Sequence, residues 1–170
     1  MRSSILPGLN RQALTHAART TVAATASLAV ARALGLPEPH WAAISTMVVT
    51  QSTLGAALTI SGQRFAGTAL GATAAALLVM EFGSAMWVFA AGIFSLGLLC
   101  AVCRLDRAAY RFAGITLAIV LLSQGRPAWI VAAHRFLEVS LGIAGGLIMT
   151  ALWPEPDGRP LPKAGDAGRE

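Results

Sequence analysis

Long apolar runs, almost free of charge, alternate along this chain with short knots of proline, glutamate and arginine. Six runs stand out, at 13–34, 40–58, 65–80, 85–103, 108–122 and 131–153. Each is near the ~20 residues that a helix needs to cross hydrocarbon, with the third and fifth at the short end. Proline falls only between them or outside them, at Pro7, Pro37, Pro39, Pro127, Pro154, Pro156, Pro160 and Pro162. That placement suits helices, because proline removes a backbone donor and breaks the ladder. The runs are continuously apolar and rich in alanine and leucine, without the alternation of barrel strands. The pattern predicts an all-α integral membrane bundle of six transmembrane helices. The second run is the least regular. Gln51, Ser52, Thr53 and Gly55 interrupt it, so it is either one helix or a short helix followed by a re-entrant or interfacial piece.

Composition sharpens this reading. Hydrophobic residues make up 55% of the 170 and charged residues 12%, about half the ~25% of an average soluble domain; mean hydropathy is +0.64. The net charge of +5 does not point to nucleic acid, because the basic residues flank apolar runs instead of clustering on one polar face. They carry topology. With the N-terminus inside, ten of the thirteen Lys and Arg residues fall on the cytoplasmic side, and only Arg32, Arg126 and Arg135 on the other. The positive-inside rule then places both termini in the cytoplasm. The domain plan is a cytoplasmic N-terminal segment at 1–12, a six-helix transmembrane domain at 13–153 and a disordered cytoplasmic tail at 154–170, too rich in Pro, Gly and charge to bury a core. Ala29-Val30-Ala31 resembles a signal-peptide cleavage site, but the polar lead-in with Arg2, Arg11 and Arg19 is long and Arg32 ends a run too long for such a leader.

Helices in lipid pack through small residues, and two runs carry stripes of them. Arg64, Gly67, Gly71, Ala74 and Leu78 share one helical face, as do Arg135, Glu138, Gly142, Gly145 and Met149; Gly142 with Gly146 adds a GxxxG. Gly67, Gly71, Gly142 and Gly146 are the helix-packing candidates. Ionisable residues at membrane depth usually face a bundle interior or a wet cavity. Arg64, expected near the inner end of its helix, either snorkels to headgroups or offers its guanidinium fork to an anionic substrate. Glu138 is either an i,i+3 partner of Arg135 or a proton-coupling carboxylate. His40, a residue type that serves as a switch at physiological pH, is the other proton-coupling candidate, beside Trp41, which also suits an interface belt. Arg64-Phe65-Ala66-Gly67 recurs as Arg111-Phe112-Ala113-Gly114, a short echo typical of interface anchors.

Enzymatic signatures are missing. Cys100 and Cys103 form a CxxC without the further ligands of a zinc site. There is no nucleotide-binding P-loop, no G-x-S-x-G and no H-E-x-x-H. The expectation is a protein that is not an enzyme and needs no metal and no cofactor, so that any pumping draws on an ion gradient or a partner.

The stretch from Leu34-Gly35-Leu36-Pro37-Glu38-Pro39-His40-Trp41, through Val48-Val49-Thr50-Gln51, to Gln63-Arg64-Phe65-Ala66-Gly67-Thr68 and Gly71 resembles the fusaric acid resistance protein family, which includes the aromatic acid exporters. Arg19, Trp41, Gln51, Arg64, Gly67, Thr68 and Gly71 match its pattern, and Arg135, Glu138 and Gly142 resemble its last helix. The resemblance implies a multi-pass protein of the bacterial inner membrane that exports aromatic carboxylic acids or related organic anions on the proton motive force. It implies substrate-binding roles for Arg64, Arg135, Trp41 and Gln51. A more distant likeness to plant aluminium-activated malate channels implies a dimer with a cationic pathway. Many family members carry two membrane blocks and a cytoplasmic domain, so this single block implies a homodimer or a hetero-oligomer with another membrane subunit. A passive organic-anion channel and a non-transporting assembly subunit are the competing readings. The expected partners are membrane lipid and an organic anion, with no nucleic acid.

Overall fold

The computed structural model describes residues 11–51, 53–123 and 125–154. Among them the regular structure is entirely helical: α1 (Arg11–Ala33), α2 (His40–Val49), α3 (Leu54–Phe82), α4 (Met86–Val102), α5 (Arg107–Leu122) and α6 (Ala128–Leu152). The segment expected at 1–12 and the tail expected at 154–170 lie outside the described residues, apart from residues 11, 12 and 154.

The second apolar run is two elements. Thr50, with extended backbone, closes α2 by donating its N–H to the Thr46 carbonyl at 2.9 Å. Thr53 opens α3, its hydroxyl accepting from the Ala56 N–H at 3.3 Å, as a threonine N-cap does. Leu54–Leu58 therefore belong to α3, which begins eleven residues before the expected Phe65. Thr59, Ser61, Gly62 and Gln63 dilute the hydropathy there, yet none of them breaks a helix. At ten residues α2 is about 15 Å long, half of a ~30 Å hydrocarbon core. Among the described helices two, α3 with 29 residues and α6 with 25, are long and apolar enough to cross a membrane; the six helices expected are present, with lengths from 10 to 29 residues. Gly83, at φ +73°, stops α3 in a region that glycine alone enters without strain. Asp106 starts α5 by accepting from the Ala108 N–H at 3.1 Å.

Close helix contacts follow the small-residue stripes. α2 and α6 run in the same direction, with Gly142 against Ala42 and Ser45, and Gly146 against Thr46 and Val49. α1 runs opposite to both: Ser27 meets Thr46 at 2.7 Å, and Arg19 donates to the carbonyls of Gln51 at 2.6 Å and Trp153 at 2.8 Å. α3 and α5 also run together, Gly67 on Ala109 and Phe112, Gly71 on Ala113. α4 packs outside this pair, giving a core of Ala72, Ala75, Val88, Leu96, Ala113 and Leu117.

The distribution of size is inside out. Alanine fills the centre, while Phe94, Met80, Val102, Trp87 and Leu77 stand exposed on the outer faces. A water-soluble domain rarely shows so much contiguous apolar surface. A bundle solvated by lipid needs it, since burying leucine against leucine instead of lipid gains little.

Candidate anion site

Starting at Leu54 carries Arg64 ten residues into α3, about 15 Å from the helix start. The arginine expected near a helix end is instead buried, at 6% exposure, and Arg135 on α6 is buried at 2%. Neither belongs to a loop, so both leave the charge count that set the topology.

Four elements converge around these two side chains. From α2, the Ser45 hydroxyl donates to the Trp41 carbonyl at 2.7 Å and accepts from Nε and Nη2 of Arg64 at 3.1 and 3.0 Å. From α5, Phe112 offers its ring face, its centroid 4.8 Å from the Arg64 guanidinium carbon. Arg135 lies over the Trp41 ring at 3.9 Å, a cation–π contact. From the α1–α2 connection, Glu38 ties the rest together. Its carboxylate accepts from Arg135 Nη2 at 2.9 Å and Trp41 Nε1 at 3.0 Å, and its backbone N–H donates to Glu138 Oε1 at 2.8 Å. Arg135 Nη1 stands 3.9 Å from Glu138 Oε2.

The electrostatics are unequal. Arg135 has two carboxylates. Among the described residues, no carboxylate lies within ion-pairing distance of Arg64. A buried charge without a counter-charge is destabilising by several kcal/mol, on the order of the ~3–5 kcal/mol seen when a buried pair loses one member. Nε and Nη1 of Arg135 and Nδ1 of His134 are buried with no hydrogen-bond partner, each such orphan worth ~1–3 kcal/mol. Each guanidinium has one aromatic face against it, Phe112 for Arg64 and Trp41 for Arg135. The slot that Arg64, Arg135, Trp41, Thr68, Phe112 and Thr116 line has a volume of about 10 Å³, room for roughly one water.

Not every sequence-predicted residue is here. Trp41, Arg64, Arg135 and Glu138 come together. Gln51 sits past the far end of α2, its amide donating to the Val48 carbonyl at 2.9 Å. His40 is exposed and touches the group only through Trp41, ring centroids 5.4 Å apart. Gly67, Gly71, Gly142 and Gly146 lie at helix contacts and do not line the slot. Glu38, Ser45 and His134 are the participants that sequence reasoning missed. Glu38 had a signal: a lone acid between Pro37 and Pro39, on a backbone both prolines restrict. Ser45 and His134 had none. Among the described residues, no three His, Cys, Asp or Glu side chains gather as a metal-binding group.

Fold and site together define a helical membrane protein with buried guanidinium groups at its centre. The model of the fusaric acid resistance protein-like family matches residues 24–149, and the chain belongs to that family. The uncharacterized transporter YdhK of Escherichia coli (strain K12) is 35% identical over 157 residues, covering 86% of this chain and 23% of the relative. YdhK of Salmonella typhimurium is 34% identical over 160 residues with the same coverage, 86% and 23%. The chain thus spans about a quarter of the length of these curated relatives. No solved structure matches it.

Proposed function

We propose that the chain is a transport module for organic anions, aromatic carboxylates foremost, and that it works in the bacterial inner membrane with both termini cytoplasmic. The observation that carries this is Arg64: a buried guanidinium that hydrogen-bonds one serine, has no carboxylate partner among the described residues and lies over the Phe112 ring. Arg64 and Arg135 take the carboxylate, and Trp41 receives the ring. Glu138 exchanges the proton, with His40 a less well-placed second candidate. Gln51, at the far end of α2, has no direct part in this arrangement.

The slot at Arg64 is closed to a ring in this conformation, so passage requires α2 or α5 to give way. Export on the proton motive force needs no bound proton for part of its drive. A monoanion leaving a cell with a negative interior gains ~2.3 kcal/mol per 100 mV. Sealed proteoliposomes holding only this chain and a labelled hydroxybenzoate test the reading. Imposed potassium diffusion potentials and pH gradients, applied separately, divide the electrical drive from the proton exchange. Expected is flux uphill against the acid's own gradient and its loss in Arg64→Gln. Flux only down that gradient makes the module a passive channel.

A second reading, a non-transporting assembly subunit, draws on the close helix contacts at Gly67, Gly71, Gly142 and Gly146. In that case Arg64→Gln preserves function in cells while Gly67→Leu and Gly142→Leu destroy assembly.

A further inference from the structure

Among the described residues the backbone takes positive φ at Gly35, Gly83, Gly125 and, at +53°, Arg104. Gly35 and Arg104 end their helices in the same way. After α1 the Leu36 N–H donates to the Ala31 carbonyl at 3.1 Å and the Gly35 N–H to the Arg32 carbonyl at 3.0 Å. After α4 the Leu105 N–H donates to the Cys100 carbonyl at 2.9 Å and the Arg104 N–H to the Ala101 carbonyl at 3.2 Å. Both are Schellman endings, whose left-handed residue is usually glycine. A side chain crowds the following carbonyl there, so an arginine at that place strains the backbone where glycine would not.

Two more arginines follow. Arg107 and Arg111 stand one turn apart on the outward face of α5, at a helix N-terminus, where the dipole disfavours cations and the first turn holds no acid. All three arginines are exposed, and among the described residues none has a carboxylate within ion-pairing distance. The acid of this connection is held elsewhere: Asp106 accepts from the Gln63 side-chain amide at 2.9 Å and from the Ala108 N–H at 3.1 Å. Away from the arginines the surface turns apolar. The outward face of α5 continues through Ile115 to Leu122, and on α4, packed alongside with Gly97 against Tyr110, Leu98 and Phe94 stand exposed. From Arg111 to Leu122 the helix rises about 16 Å, the depth of one leaflet of a ~30 Å hydrocarbon core.

We propose that the α4–α5 end of the bundle docks one anionic phospholipid. Arg104, Arg107 and Arg111 hold its phosphate, and an acyl chain lies along the exposed apolar residues of α4 and α5. Charge complementarity selects the occupant. A guanidinium fork matches phosphate oxygens in paired bonds. Three cations without a counter-charge favour the net negative phosphatidylglycerol over phosphatidylethanolamine, whose ammonium group meets them as a like charge. Free phosphate lacks the chain that covers the apolar face. On the proposed topology this is the cytoplasmic leaflet, but the site stands whichever way the bundle faces and whatever it carries.

The full chain, delipidated in mild detergent, is titrated with phosphatidylglycerol, phosphatidylethanolamine and inorganic phosphate, and bound lipid is counted by native mass spectrometry. Expected is one tightly held phosphatidylglycerol per chain, phosphatidylethanolamine weaker by about fivefold or more, and no displacement by excess phosphate. Arg104→Gln, Arg107→Gln and Arg111→Gln each weaken phosphatidylglycerol about fivefold, the equivalent of about 1 kcal/mol per basic residue at a membrane surface. Arg32→Gln and Arg126→Gln remove the same charge from exposed positions at the opposite end and leave its affinity unchanged. Arg104→Gly separates binding from folding: it relieves the backbone, so the unfolding midpoint of lipid-free protein rises while affinity falls about fivefold. The assignment is overturned if Arg126→Gln weakens the lipid as much as Arg104→Gln does, if phosphatidylethanolamine binds as tightly, if phosphate displaces the lipid, or if Arg104→Gly lowers the midpoint and spares the affinity.

Discussion

The Ser45 hydroxyl serves two neighbours at once, giving its proton to the Trp41 carbonyl and both lone pairs to Arg64. Ser45→Ala strips two buried donors of their acceptor, and the expected loss is ~1–3 kcal/mol, read as a lowered unfolding midpoint in detergent. In the Arg64→Gln background the same change costs less, and a double-mutant cycle isolates the coupling; equal costs in both backgrounds would remove Ser45 from the site. The tetrapeptide Arg-Phe-Ala-Gly shows how far a local motif can be read. At Arg64 it lies ten residues into a helix and its arginine is buried; at Arg111 it lies four residues into α5 and its arginine is exposed. Depth in the bundle, which the four letters do not encode, decides which guanidinium becomes chemistry. The residue types of the site were legible, because charge in an apolar run is expensive and needs a reason. Its hub at Glu38 and its acceptor at Ser45 were not, because each gains its role from a residue nineteen or more positions away.

Among the elements, the stripes of small residues translate directly into contacts, while the boundaries do not. A methyl group built on Gly71 would land on the Ala113 carbonyl oxygen, and backbone cannot step aside as a flexible side chain can. Gly71→Ala is expected to cost ~1–3 kcal/mol, whereas Gly62→Ala on the same helix meets open space and gains up to ~1 kcal/mol from helix propensity. Unfolding midpoints of the two variants in one detergent decide it, and a harmless Gly71→Ala would contradict the α3–α5 packing. Glycine spacing was readable because lipid leaves shape as the main guide to helix pairing. The break after Val49 was half readable: hydropathy flagged polar residues at 51–53, but it cannot distinguish a helix that ends from one that shows a polar face. Only the extended backbone at Thr50 and the cap at Thr53 settle that α2 is short and α3 long.

At the level of the whole molecule, the ends of the bundle differ in chemistry, and the topology proposed from charge is open to direct measurement. Cys103 is exposed just past α4, on the side assigned to the cytoplasm, and Arg126 is exposed at the opposite end. A membrane-impermeant maleimide added to intact cells is expected to label Arg126→Cys and spare Cys103; in inverted vesicles the order reverses, and Cys100, which is buried, reacts only after unfolding. The opposite pattern would turn the molecule over. Native mass spectrometry from mild detergent tests the proposed dimer or hetero-oligomer; a strictly monomeric species that still transports would refute it. The hydrogen bonds of Arg19 tie these ends to the order of synthesis. One partner, the Gln51 carbonyl, leaves the ribosome soon after it, whereas another, at Trp153, is 134 residues further on. This tie between α1 and α6 can therefore form only after the end of α6 has been made. A chain that stops short of Trp153 lacks the carbonyl that joins the end of the bundle's last described helix to its first.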